Sequence, residues 1–138
     1  MNVRAIAPLI VLLAVGSAAQ CPSSAPQDKD QPADQGRITK LEAEARALAR
    51  TDGCSSSNEC RTAPVGSRPC GGPREYIVYC ARTTDSVALF RKLDELRLAE
   101  MEYNRKSGLA STCEFRTPPA VGLEAGQCKS VPINQEIR

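Results

Sequence analysis

Six cysteines spread between residues 54 and 128, with a seventh at position 21, constrain this chain more than any other feature. Aromatic side chains make up only 4% of the residues, and tryptophan is absent. Aromatic rings supply much of the apolar area that a small domain buries, so a large core is not expected. The 138 residues have room for one domain. A domain of that size gains from covalent staples, because its surface is large relative to its interior.

Histidine is absent. That removes Ser-His-Asp and Cys-His catalysis, histidine-ligated zinc and any imidazole pH switch. The formal charge is +2, with basic and acidic residues interleaved, too weak a bias for a nucleic-acid partner. The steps from Cys60 to Cys70 and from Cys70 to Cys80 are too wide for a CxxC zinc knuckle. No cysteine has a histidine to activate it as a nucleophile. The expectation is therefore no metal, no cofactor and no catalytic cysteine.

The N-terminus begins with a short basic stretch, Met1–Arg4, followed by the apolar run Ala5–Ala14 and the small residues Gly16, Ser17, Ala18 and Ala19. This is the order of a secretory signal peptide, expected over residues 1–20. The apolar run is about 12–15 residues, short of the ~20 that cross a bilayer as a helix. Cleavage after Ala19 gives a soluble exported protein, periplasmic or secreted. Ala18-Ala19-Gln20-Cys21 resembles a bacterial lipobox, departing from it at Ala18 and Gln20. That resemblance implies cleavage before Cys21, a lipid on its sulfur and a membrane anchor. It also implies an outer-membrane address, since Pro22 rather than Asp follows the cysteine. Setting Cys21 aside leaves an even set of six cysteines, as an oxidising compartment favours. Residues 21–36 are polar and proline-rich and are expected to form a disordered tether.

Residues 37–138 are expected to form a stapled, mainly α domain: an antiparallel two-helix hairpin with a disulfide-rich loop insert, one strand-like segment and an extended C-terminal tail. The first helix is predicted over Gly36–Thr51, where Ile38, Leu41, Ala45 and Leu48 recur on one face. Gly53 is its expected left-handed cap. The second is predicted over Ser86–Ser107, with Asp85 as N-cap and Gly108 as stop. Its apolar stripe is Leu89, Phe90, Leu93, Leu96 and Tyr103, with Glu100 inside it. Between the helices, Pro64, Gly66, Pro69, Gly71, Gly72 and Pro73 break any regular period. Glu75–Cys80 is β-branched and aromatic, and reads best as an extended segment packed on the helices without a sheet partner. Val121–Leu123 is a weaker strand candidate.

If the helices pack antiparallel, Cys54 and Cys80 are neighbours and close the base of the insert. The nested scheme then pairs Cys60 with Cys70 and Cys113 with Cys128, one of many pairings open to six cysteines.

Cys70-Gly-Gly-Pro-Arg-Glu-Tyr76 is the most distinctive string. It resembles a Cys-Gly-Gly-Pro signature of uncharacterised small exported bacterial proteins. There, as here at Tyr76, Tyr79, Cys113 and Cys128, an aromatic segment, a helix and two later cysteines follow. The resemblance covers roughly two-thirds of the chain and implies no activity. In structural terms, Gly71-Gly72 make a tight turn and Pro73 fixes the exit. Arg61, Arg68, Arg74 and Arg82 lie in or beside the insert, a mildly basic loop suited to an acidic partner or an anionic envelope polymer.

The expected function is an exported envelope module that binds or braces, its stapled loop meeting an envelope or extracellular protein, with inhibition of a hydrolase as one version. The alternative is a small envelope hydrolase using Glu100 as an acid, with Asp94 or Glu75 as its second carboxylate. A glutamate paired with an arginine is the structural explanation for the same residue.

Overall fold

The computed structural model describes residues 31–132. The expected signal peptide, Cys21 and the tether up to residue 30 lie outside the described residues, as do residues 133–138. Helix α1 is Gln31–Leu48. It begins five residues before the predicted start and takes in residues 31–36 of the expected tether. Pro32 is compatible with this early start, because the first turn needs no N–H from it. Strands β1 (Cys60–Val65) and β2 (Glu75–Cys80) follow a single 3₁₀ turn, Ser57–Glu59. Helix α2 is Ser86–Ser107, and strands β3 (Val121–Glu124) and β4 (Gln127–Ser130) close the chain.

The helices pack antiparallel, joined across their length by Asp34–Lys106, Gln35–Tyr103 and Glu44–Lys92 contacts. Helix α2 starts where Asp85 accepts a hydrogen bond from the Ala88 N–H and stops at left-handed Gly108. Leu89, Leu93 and Leu96 are buried along it, while Phe90, expected on the same stripe, is 43% exposed at the stripe's edge. Its ring meets Tyr79 edge-to-face at 6.3 Å. Helix α1 ends before its predicted cap. Gly53 has positive φ, but it lies in the following turn, where a β-carbon would sit 2.6 Å from Thr83 Cγ2.

The mainly α expectation is wrong. The fold is mixed α/β and disulfide-rich, with two small antiparallel sheets. Glu75–Cys80 has a partner: β2 pairs with β1 from Cys60↔Cys80 to Val65↔Glu75. Pro64 made β1 look like a loop, but a two-stranded ribbon is all edge, and an edge strand accommodates proline. The C-terminal tail is extended only as far as β3, which pairs with β4 from Val121↔Ser130 to Glu124↔Gln127. Ala125 and Gly126 make the turn between them with φ of 48° and 75°. Two successive positive φ values suit the right-handed twist of a tight hairpin.

The β1–β2 ribbon is the middle layer. Ala63, Val65, Ile77 and Tyr79 point to the helices and join Leu41, Ala45, Leu89, Leu93 and Leu96 in the core. The alternate residues Cys60, Val78 and Cys80 point the other way, into a second cluster with Cys54, Cys128, Val121 and Leu123.

Three disulfides are present: Cys54–Cys80, Cys60–Cys128 and Cys70–Cys113, with Cα separations of 5.7, 5.5 and 5.4 Å. The first is the predicted one. The other two replace the nested pairs Cys60–Cys70 and Cys113–Cys128. Cys60 opens the six-residue strand β1 and Cys70 lies beyond its far end. Such a strand is about 20 Å long, whereas bridged Cα atoms lie within about 7 Å. Cys113 meets Cys70 at that far end, and the β4 cysteine returns to the near one.

Candidate functional site

The connection from β1 to β2, residues 66–74, forms the tip of the ribbon. Its turn is closed by the Gly71 N–H to the Arg68 carbonyl (2.9 Å) and the Arg68 N–H to the Gly72 carbonyl (3.0 Å). Gly71 and Gly72 both have positive φ, which is the reason for two glycines in the Cys-Gly-Gly-Pro string.

Glu100 holds the neck of this tip. Its side chain reaches the loop from α2, and the residue is 6% exposed. One carboxylate oxygen accepts the Ser67 N–H at 2.5 Å, and the other accepts Arg74 Nη2 at 3.1 Å. Asn104, one turn on, donates to the Ser67 carbonyl at 2.9 Å. Both ends of the loop are thus tied to one helix face. Gly66 is required there, since a β-carbon would fall 2.2 Å from Glu100 Oε2 and φ is +68°.

Arg74 also bonds Glu42 (2.6 Å) and Glu75 (2.9 Å), and Arg46 bridges the same two carboxylates. Partial burial pushes Glu42 upward, but hydrogen bonds from Arg46 and Arg74, with their charges, outweigh it and leave its carboxyl below the usual range. Arg74 is likewise destabilised by burial but held above its ordinary value by Glu100 and Glu42. Glu100 and Glu75 are both bonded to the Arg74 guanidinium, which bridges the two carboxylates. Asp94 is paired with Arg97 at 2.6 Å. Glu100 therefore has the arginine pairing of a structural residue.

The four arginines singled out in the sequence do not form one patch. Arg61 bonds the Asn58 and Cys60 carbonyls, and Arg82 bonds Ser55 Oγ, all at the base of the ribbon. Arg68 is at the tip, and Arg74 belongs to the carboxylate network.

Sequence reasoning missed the hollow beside the tip. A cavity of about 410 Å³ lies where the tip meets α2, walled by Pro64, Pro73, Phe90, Leu93 and Met101 and floored by the glycine backbone. Phe90 and Met101 are 43% and 48% exposed. The signal was available: residues 90, 94, 97 and 101 recur at helical spacing on a second face of α2. The Asp94–Arg97 ion pair lies at its rim.

The Sγ atoms of Cys54, Cys60 and Cys128 lie within 4.8 Å of one another, near enough for a shared ion. All three are committed to disulfides, and metal ligation requires thiolates. Among the described residues, no helix is long and apolar enough to cross a membrane. No family model matches this chain, and neither curated proteins nor solved structures give a significant match. Fold and site together define a disulfide-braced α/β protein with a rigid, hollow-flanked hairpin tip.

Proposed function

We propose that this protein is an exported cell-envelope binding module whose recognition element is the stapled hairpin tip and the apolar hollow beside it. The observation that carries this reading is the hollow itself, walled by half-exposed Phe90 and Met101 against a loop fixed at neck and tip. Its volume of about 410 Å³ falls in the range of sites that take a small apolar ligand or a partner's side chain. A loop fixed in advance loses little conformational freedom on binding, which favours affinity.

Export rests on the leader-like N-terminus, and three disulfides are compatible with an oxidising compartment. We place the mature protein in the envelope, anchored through a lipid on Cys21, with a soluble periplasmic or secreted form as the alternative. Its partner is then an envelope or extracellular protein, and inhibition of a hydrolase is one form the interaction takes. Catalysis by Glu100 gains no support from the geometry, because both of its oxygens are bonded and Arg74 bridges it to Glu75.

The test compares wild type with Phe90→Asp and Met101→Asp in crosslinking pull-downs from envelope extract. The two side chains are half exposed, so the fold is retained, and circular dichroism checks this. Loss of the wild-type partner from both variants supports the reading. Recovery of the same partner with undiminished yield removes the hollow from recognition.

A further inference from the structure

We infer that Cys70–Cys113 is an exchangeable disulfide, a modification site for a dithiol reductant that frees one segment of the protein without unfolding the rest. This goes beyond the recognition reading and does not depend on what the tip binds.

The three bonds fall into two classes by access. Cys54, Cys60, Cys80 and Cys128 are at most 8% exposed, in one cluster beneath β3. Cys70 and Cys113 are both exposed. Thiol–disulfide exchange requires a thiolate to reach a sulfur along the S–S axis, so access separates the outer bond from the inner two. Arg68 and Arg116 line the cavity that the outer bond borders, as does Glu114. Two guanidinium groups against one carboxylate favour the departing thiolate and raise the reactivity of the bond.

The outer bond also has a separate task. Residues 109–120 have no regular secondary structure and run from the end of α2 past the tip to β3. Along 109–119, the polar ties to the rest of the described protein, apart from the disulfide, are a hydrogen bond from Tyr76 Oη to the Arg116 carbonyl at 3.4 Å and a 3.2 Å contact of the Ser111 carbonyl with Cys70 Sγ, itself one end of that disulfide. Phe115 points outward and is 87% exposed, so it anchors nothing. The strap keeps its place because Cys113 is bonded to Cys70. Beneath it is a second cavity of about 340 Å³ that includes Arg68 and Tyr76 in its wall. The inner bonds, the helix pair and the Glu100 clamp on the tip do not involve the strap.

In the reaction, one thiolate of the reductant bonds to either sulfur, and the other leaves as a thiolate and takes up a proton. The reductant's second thiolate then attacks the reductant sulfur of the mixed disulfide, closing the reductant's own S–S bond and expelling the remaining cysteine as a thiolate, which takes up a proton. Two electrons pass to the protein, leaving Cys70 and Cys113 as thiols and the reductant as a disulfide. The strap swings free and the Arg68–Tyr76 surface opens to solvent.

The experiment exposes the folded, oxidised protein to graded dithiothreitol at neutral pH without denaturant, then alkylates it and maps the labels by peptide mass spectrometry. Cys70 and Cys113 are expected to be labelled at least tenfold faster than the other four. Trypsin cleavage after Arg116 is expected to accelerate in step, with unchanged far-ultraviolet circular dichroism. A Cys70→Ser/Cys113→Ser double variant should show the fast cleavage without reductant. Labelling of all six cysteines together, labelling of the inner bonds first, or failure of the double variant to fold would each overturn the proposal. So would cleavage after Arg116 that ignores the state of the bond.

Discussion

Glu100 shows how a single side chain can be conspicuous in a sequence for a reason other than chemistry. A carboxylate inside an apolar helical stripe suggests an acid with an unusual environment, and it does lie buried. What the sequence could not show is that the glycine-rich loop supplies a backbone N–H and an arginine to meet it. Replacing Glu100 with Gln keeps an acceptor for the Ser67 N–H but loses the charge opposite Arg74. We expect destabilisation of about 2 kcal/mol, typical of a lost hydrogen bond to a charged group, measured by denaturant unfolding. Arg74→Gln should cost at least as much, since Glu42 and Glu75 keep Arg46 but the buried Glu100 carboxylate loses its charge partner. An Glu100→Gln protein as stable as wild type would mean that the neck is not held by this residue.

At the scale of elements, legibility followed the local signals. Helix α2 could be read to the residue because Asp85 and Gly108 mark its ends and leucines recur between them. Strand β1 could not, because Cys-Arg-Thr-Ala-Pro-Val lacks clean alternation and Pro64 argues against pairing. Missing β1 also misplaced two disulfides, since the nested scheme takes Cys60 and Cys70 to flank a Pro- and Gly-bearing turn rather than the length of a strand. The β3–β4 turn was silent for a different reason: it uses Ala125 where hairpins of this kind usually have Asn or Asp. Alanine at φ 48° is strained, and Asn tolerates that region better. Ala125→Asn is therefore expected to stabilise the protein by about 0.5–1 kcal/mol. The measurement is the denaturation midpoint at unchanged slope, and a lower midpoint would contradict the turn geometry.

For the molecule as a whole, the titrating groups point one way. Asp52, Glu42, Glu59, Glu95 and Glu102 all have carboxyls held below their ordinary range. For Asp52 the cause is the Arg50 hydrogen bond, and for Glu59 it is the Ser55 backbone N–H. Each binds its proton less readily folded than unfolded. The stabilisation is therefore present above the unfolded pKa and is lost as pH falls through the folded one. With no histidine in the chain, no imidazole titrates near neutrality. Unfolding free energy should be level between about pH 5.5 and 8 and decline below about pH 4. Denaturant titrations at constant ionic strength check this, and Glu42→Gln should reduce the acid decline. A loss of stability that begins near neutral pH would be inconsistent with these carboxyls as its source.

The pattern of pairing, 54 with 80, 60 with 128 and 70 with 113, joins no two cysteines that are consecutive in the chain. A polypeptide that emerges N-terminus first presents Cys54 and Cys60 side by side long before Cys128 exists. An oxidant that links thiols in order of appearance makes the wrong knots, and every one must be undone. Under such an oxidant shuffling sets the pace of maturation, and Cys60 of the first strand waits for Cys128 of the last.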